Sequence, residues 1–232
     1  AAARLWGYKD IELQHVGFGT ILGDDGKPYK TRSGDTVGLE GLLDEAVSRV
    51  AEVIAATKKE GESILSEGEE KQVAETVGIA AIKYADLSQN RTSDYTFSYD
   101  KMIALDGNTA TYMQYAYARV NGIFRKGNIH PEQVRSSPLP IQLAEPAERA
   151  LGMQLVRFSE ALSDVTVDYR PNLLTAYLYD LARAYTAFFE NCPVLKAPTD
   201  EVKHSRLMLC DLTARTIKLG LNLLGISVAE KM

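Results

Sequence analysis

Residues Thr111 to Gly127 read TYMQYAYARVNGIFRKG, and on a wheel of about 100 degrees per residue the run separates into two faces. Met113, Tyr117, Val120 and Phe124 fall on one side, the pattern of a helix turned to a core. Tyr112, Tyr115 and Arg119 fall on a different side, roughly opposite. Two tyrosines and an arginine on a face that the core does not use suit stacking on bases, worth about 1 to 3 kcal/mol per base, with the guanidinium reaching phosphate or a ring. The same residues also suit the seating of a neighbouring helix, and pattern alone leaves both readings open. Asn108 or Thr109 can cap the helix, and Gly127 stops it.

Toward the C-terminus the pattern stays helical. Residues 128–143 carry Pro131, Pro138 and Pro140 and read as a long loop. Pro146 opens a helix through about Leu162, and Asn172 after Pro171 caps another that Pro193 stops. At least one of Phe188 and Phe189, near the end of that helix, is expected in the core. Leu207, Cys210, Ala214, Ile217, Leu221 and Leu224 form a near-heptad stripe ended by Gly225. Four long amphipathic helices with short or proline-rich links make a helix bundle.

Toward the N-terminus a different regime is read. Leu13 to Leu22 is an apolar, β-branched run expected to form a strand with neighbours to pair with, so the chain is expected to begin inside a domain. The loop GDDGKPYKTRSGDTV (23–37) follows, and from Leu39 the apolar spacing becomes helical through Ile54. EGESILSEGEE (60–70) reads as an exposed acidic connection, KQVAETVGIAAIKYADL (71–87) as a helix, and Tyr95, Phe97 and Tyr99 as a short extended piece. Ser88, Gln89, Asn90, Arg91 and Asp94 are too densely polar for a core element and read as a structural junction, in which Arg91 and Asp94 could form a local ion pair. The change of regime divides the chain into residues 1–102 and 103–232.

Composition excludes several classes. The 232 residues suffice for one or two domains with real cores, and a formal charge of −5 is not that of a protein that binds nucleic acid by bulk electrostatics. Any RNA site must be local. Cys192, Cys210 and the histidines His15, His130 and His204 show no paired spacing, so neither a disulfide framework nor a metal site is expected. No run is long and apolar enough to span a bilayer and no signal peptide is evident, so the cytosol or an organelle matrix is the expected location, with no membrane partner. The glycine-bearing loop lacks the Walker A spacing, yet it follows a strand, where open α/β sheets place ligands. Lys27, Lys30 and Arg32 can reach phosphate oxygens from it.

Four strings, GDDGKPYKTRSGDTVGLEGLLDEA (23–46), IKYADLSQNRTSDYTFSYDKM (82–102), GNTATYMQYAYARV (107–120) and LNLLGISVAEKM (221–232), together resemble arginyl-tRNA synthetase, a class I aminoacyl-tRNA synthetase. The resemblance implies the last part of a Rossmann-type catalytic domain followed by a helical anticodon-binding domain. It implies ATP-dependent activation of L-arginine and transfer to arginine tRNA, with ATP and its Mg2+ counterion as cofactor, no protein metal site, and a monomeric full-length protein. The loop matches the K-M-S-K-S loop of the class, with Lys30 at its first lysine and Ser33 at its second. Lys27, Lys30 and Arg32 are thereby expected to meet phosphate, and the backbone at Gly17 and Phe18 the adenine side. No H-x-G-H string is present, since HVGFG at His15 lacks its second histidine, and the isolated segment is expected to lack pyrophosphate exchange. At the other end the resemblance sets Tyr112, Tyr115, Phe189 and Met232 against the anticodon loop, with Arg119 as a phosphate partner. Thr111 stands where proline is usual and Phe189 where tyrosine is frequent. A non-catalytic RNA-binding module descended from the synthetase is the alternative reading.

Overall fold

Helix-forming residues dominate the chain, and the computed structural model describes residues 2–23, 25–28, 38–59, 65–137 and 139–232. A short helix α1 (Ala2–Leu5) leads by an extended segment to β1 (Ile21–Leu22). Two long helices follow, α2 (Leu39–Lys59) and α3 (Glu67–Leu87), then β2 (Tyr95–Thr96) and the single turn α4 (Tyr99–Met102). β1 and β2 pair in parallel, Ile21 with Tyr95 and Leu22 with Thr96. The rest is α5 (Ala110–Gly127), α6 (Pro131–Arg135), α7 (Pro146–Val156), α8 (Phe158–Asp168), α9 (Pro171–Asn191) and α10 (Asp200–Leu223).

α2 and α3 form a hairpin whose backbones approach closely. A Cβ at Gly78 would lie 2.7 Å from the Val47 backbone, so only glycine allows the approach. One core unites α3 with the bundle: Ala80 and Tyr84 of α3 pack with Met113, Tyr117, Val120 and Phe124 of α5 and with buried residues of α9 and α10. The core face read for α5 is therefore the core face of the protein. Thr109 caps α5 by accepting from the Tyr112 amide at 3.1 Å, which fixes the start of the helix without a proline at Thr111. Cys192 and Cys210 are both buried free thiols, and Phe188 is buried while Phe189 is exposed.

Several expectations are corrected. Of the strand expected over Leu13 to Leu22 only Ile21 and Leu22 are paired, because β2 is the one strand lying alongside among the described residues. α3 begins at Glu67, inside the acidic stretch read as a connection, because the Glu69 carboxylate accepts from the Ser66 amide and hydroxyl at 2.9 and 2.8 Å. α5 ends one residue later than read, with Asn128 at φ 48 as the left-handed residue. The long loop contains α6, anchored by the Arg135 guanidinium on Asp211 of α10 at 2.9 and 2.7 Å. The helix opened by Pro146 breaks at Arg157, where the amide bonds three residues back to Gln154, and both halves then pack on α9. Arg91 bonds backbone carbonyls instead of Asp94, whose carboxylate accepts from the Thr20 amide.

One buried ion pair ties α7 to α10. Glu148 and Arg206 are 2 % and 6 % exposed, and Arg206 Nε donates to Glu148 Oε1 at 2.7 Å while Nη1 donates to the Pro193 carbonyl. Burial alone would push the Glu148 carboxyl up, but the Glu145 amide and the Arg206 guanidinium outweigh it and hold the group below its ordinary 4.5. A depressed carboxylate contributes stability that is present above pH 4.5 and lost as pH falls through the lower folded value. Arg206→Met is expected to cost about 3–5 kcal/mol in urea unfolding at pH 7, because it strands a buried carboxylate. The added change Glu148→Leu is expected to restore most of that loss and to flatten the acid limb.

Candidate nucleic-acid interface

The exposed face of α5 meets the end of α9. Tyr115 and Phe189 are 38 % and 39 % exposed, large rings left open to solvent. The Arg119 guanidinium lies 4.6 Å from the Tyr115 ring centre and 5.0 Å from that of Phe189, so one cation bridges two rings from different helices. Cation–π contacts of this kind hold the guanidinium close to both rings, and exposed rings beside a cation are what a base or a phosphate meets on a single-strand platform.

Tyr115, Arg119, Phe189 and Met232 line one open groove of about 520 Å³. Arg125, Lys126 and Lys196 add to its rim, and no Asp or Glu is among its described lining residues. Tyr115 and Met232 also wall a second cavity of about 450 Å³ against Val50, Ile54 and Val77 of the α2–α3 hairpin, with no charged side chain among its described lining residues. Tyr112 stands apart from this group. It is half-buried, its hydroxyl is 3.2 Å from Thr186 Oγ1, and its ring meets Tyr179 edge-on at 5.8 Å, so its visible work is to seat α9.

The C-terminal tail reaches the groove through a series of polar contacts. Gly225, at φ 69, turns the chain out of α10, and its carbonyl accepts from Lys83 of α3 at 2.7 Å. Gln114 donates to the Ser227 carbonyl, while Tyr117 and Asn121 donate to the two Glu230 carboxylate oxygens, each at 2.7 Å. Arg125 donates to the Glu230 carbonyl, and Lys231 donates to Glu69 at the start of α3. Met232 is thus placed by contacts on both α3 and α5. Reading by pattern missed Glu230, Lys231, Glu69 and Lys196, since none sits on a periodic stripe. It also missed that Arg125 and Lys126 share a groove with Phe189.

The lysine loop is described only at its start. Lys30 and Arg32, with Ser33, lie outside the described residues. Lys27 is exposed on a turn in which the Gly23 amide donates to the Lys27 carbonyl and Gly26 takes φ 71. Gly17 and Phe18 are exposed, and the Gly17 carbonyl accepts from Arg91 at 2.6 Å. His15 lies in the extended segment and not in a strand. Among the described residues no three His, Cys, Asp or Glu side chains gather at a possible metal position, and no helix is long and apolar enough to cross a membrane.

Residues 113–232 match the DALR anticodon binding domain, and residues 1–99 match the catalytic domain of the class I (R) tRNA synthetases. With the fold, these matches define a class I aminoacyl-tRNA synthetase fragment: catalytic-domain sequence followed by a helical anticodon-binding domain. The arginine–tRNA ligase of Trichodesmium erythraeum is 52 % identical over 227 residues, covering 98 % of this chain and 38 % of that protein. That of Shigella dysenteriae is 47 % identical over 234 residues, covering 100 % of this chain and 40 % of that protein. The Thermus thermophilus arginyl-tRNA synthetase structure superposes with a TM-score of 0.82 at 29 % identity, over 100 % of this chain and 38 % of that one. The chain belongs to the arginyl-tRNA synthetase family, as the four strings implied, and spans about two fifths of the length of the curated relatives it matches.

The tail contact is directly measurable. Lys231, with the amide and hydroxyl of Ser66, holds the Glu69 carboxyl down at about 2. A carbon-detected NMR titration is expected to place Glu69 there, and Lys231→Ala to move it back toward 4.5 without changing the helical circular dichroism.

Proposed function

We propose that the chain is part of an arginine–tRNA ligase in which residues 103–232 form the domain that holds the anticodon loop of arginine tRNA and residues 1–102 complete one side of an ATP site. The observation that carries this reading is the Tyr115–Arg119–Phe189 stack beside Met232, set in a groove lined by four cations. In a protein of net charge −5 such a groove is a local exception suited to a polyanion. Unpaired bases stack on Tyr115 and Phe189, Arg119 meets base or phosphate, and Lys126 and Lys196 follow the backbone. Tyr112 supports this surface by holding α9 against α5.

For the other substrates, Lys27 on its glycine turn fits a cation that reaches phosphate, and Lys30 and Arg32 are assigned to the same task. An adenine contact at Gly17 and Phe18 would use the backbone groups that Arg91 does not engage. ATP, with Mg2+ as its counterion, supplies the adenylyl group for L-arginine. This chain's cations neutralise phosphate charge, a contribution of about 2.7–4 kcal/mol for each donor aimed at charge developing in the transition state. A cytoplasmic, monomeric full-length ligase is the assembly proposed.

Tyr115→Ala is expected to weaken arginine tRNA binding by about 1–3 kcal/mol while the helical circular dichroism stays unchanged. Lys196→Ala is expected to weaken binding and to reduce the slope of log affinity against log salt by about 0.7. Equal affinity of both variants and wild type would overturn the assignment of the groove. The 232-residue chain alone is expected to show no arginine-dependent pyrophosphate exchange, and measurable exchange would overturn the division of the active site.

A further inference from the structure

Arg91 uses its whole fork on the backbone of two separate parts of the molecule. Nε donates to the Tyr169 carbonyl at 3.1 Å and Nη2 to the Asp168 carbonyl at 3.0 Å, while Nη1 donates to the Gly17 carbonyl at 2.6 Å. The first two acceptors are carbonyls at the end of α8, groups that a helix end leaves without partners and that favour a cation. The third lies in the extended segment before β1. The Arg91 carbonyl also accepts from the Gly19 amide at 2.6 Å, so the residue grips that segment from both its ends.

The segment has little other hold. Residues 11–18 are exposed, and β1 is two residues long. What fastens it lies next to Arg91: the Thr20 amide donates to Asp94, the Tyr95 amide to the Thr20 carbonyl and the Phe97 amide to the Leu22 carbonyl. A Cβ at Gly19 would lie 2.3 Å from the Ser93 carbonyl oxygen, so the two backbones are pressed together. On the other side, Tyr169 is left-handed at φ 53, and the Val165 carbonyl accepts from the Arg170 amide in the same corner. α8 packs on α9 through Phe158 against Tyr177, with ring centres 5.6 Å apart, and α9 carries Phe189.

We propose that Arg91 is a positioning residue that couples the α8–α9 corner of the bundle to the segment leading into the lysine loop, so that a load on the bundle changes the hold on residues 17–22. Lysine cannot replace it, because an ammonium on a flexible stem does not span three carbonyls in one plane. The link is a set of direct hydrogen bonds between packed elements, and its energetic coupling is what the exchange experiment measures. Its relevance to catalysis rests on the ligase reading; its existence does not.

Hydrogen exchange by mass spectrometry on the 232-residue chain tests the link without RNA. Arg91→Lys is expected to speed exchange at the Gly19 and Thr20 amides about tenfold, with Arg91→Gln as a second variant. Val165→Ala, which trims a side chain of α8 that packs on the core and so loosens the seat of α8, is expected to speed exchange over residues 19–22 in the otherwise wild-type chain and to leave it unchanged when combined with Arg91→Lys. No response to Val165→Ala in the otherwise wild-type chain, or the same response in the Arg91→Lys variant, overturns the proposal. A second arm adds arginine tRNA: exchange at residues 19–22 is expected to slow in wild type and not in Arg91→Lys, with the two dissociation constants within about twofold. Equal slowing in both overturns the proposal. A wild-type chain that fails to bind arginine tRNA instead overturns the functional reading, and the RNA-free arm then decides the role of Arg91.

Discussion

Tyr84 carries a hydroxyl into the middle of an apolar core, and the join between the α2–α3 hairpin and the bundle depends on how that hydroxyl is met. The residue is fully buried, with its oxygen 2.7 Å from Asn108 Oδ1 and 3.0 Å from the Thr175 carbonyl. Asn108 stands just before α5 and Thr175 in the first turns of α9. A buried hydroxyl without a partner costs more than the same bond contributes, so the three elements must converge to satisfy it. Burial also pushes the Tyr84 phenol well above its ordinary value, which keeps it a neutral donor.

From that join the positions of the exposed rings follow. With α5 fixed at its start by Thr109 and along its length by Met113 and Val120, both fully buried, Tyr115 and Arg119 have only the outer side left to them. α9 is held by Tyr177 and Tyr185 inward and by Tyr112 laterally, and its last turn divides two neighbouring phenylalanines, Phe188 into the core and Phe189 onto Arg119. The stack therefore inherits its geometry from helix packing, with no loop between the rings and the core. A platform built on rigid elements loses less side-chain freedom when a base arrives than one carried on loops.

What the sequence made legible was periodicity and punctuation. The core face of α5 and the stop at Gly225 are local properties found where pattern put them. Tyr112 of the outer face, by contrast, is taken up by α9, and of the extended piece read over Tyr95, Phe97 and Tyr99 the last begins α4. The break at Arg157 has no glycine or proline to announce it and arises because both halves pack on α9. The β-branched run before the lysine loop shows which residues are able to pair, but a ladder forms only where a partner lies alongside. The tail was illegible for a different reason. Its partners are far away in the chain, as Glu230 with Tyr117 and Lys231 with Glu69 are, and single polar residues carry no period.

The tail also bears on the electrostatics of the groove. Glu230 lies against α5, and it is occupied on both oxygens, by the Tyr117 hydroxyl and the Asn121 amide, with Lys218 of α10 at 3.8 Å. Its charge is thereby turned toward the flank of α5 and toward α10, while Arg125 is drawn to its carbonyl and not to its carboxylate. Arg125 keeps its unit charge at the rim, where a carboxylate bonded directly to it would have cancelled much of the field. Lys231 is in turn neutralised by Glu69, on the hairpin side of the tail. The cations left facing the groove are those of α5 and of the segment after α9. In a chain of net negative charge, this separation of paired from unpaired cations gives one surface an attraction for polyanions that the whole molecule lacks.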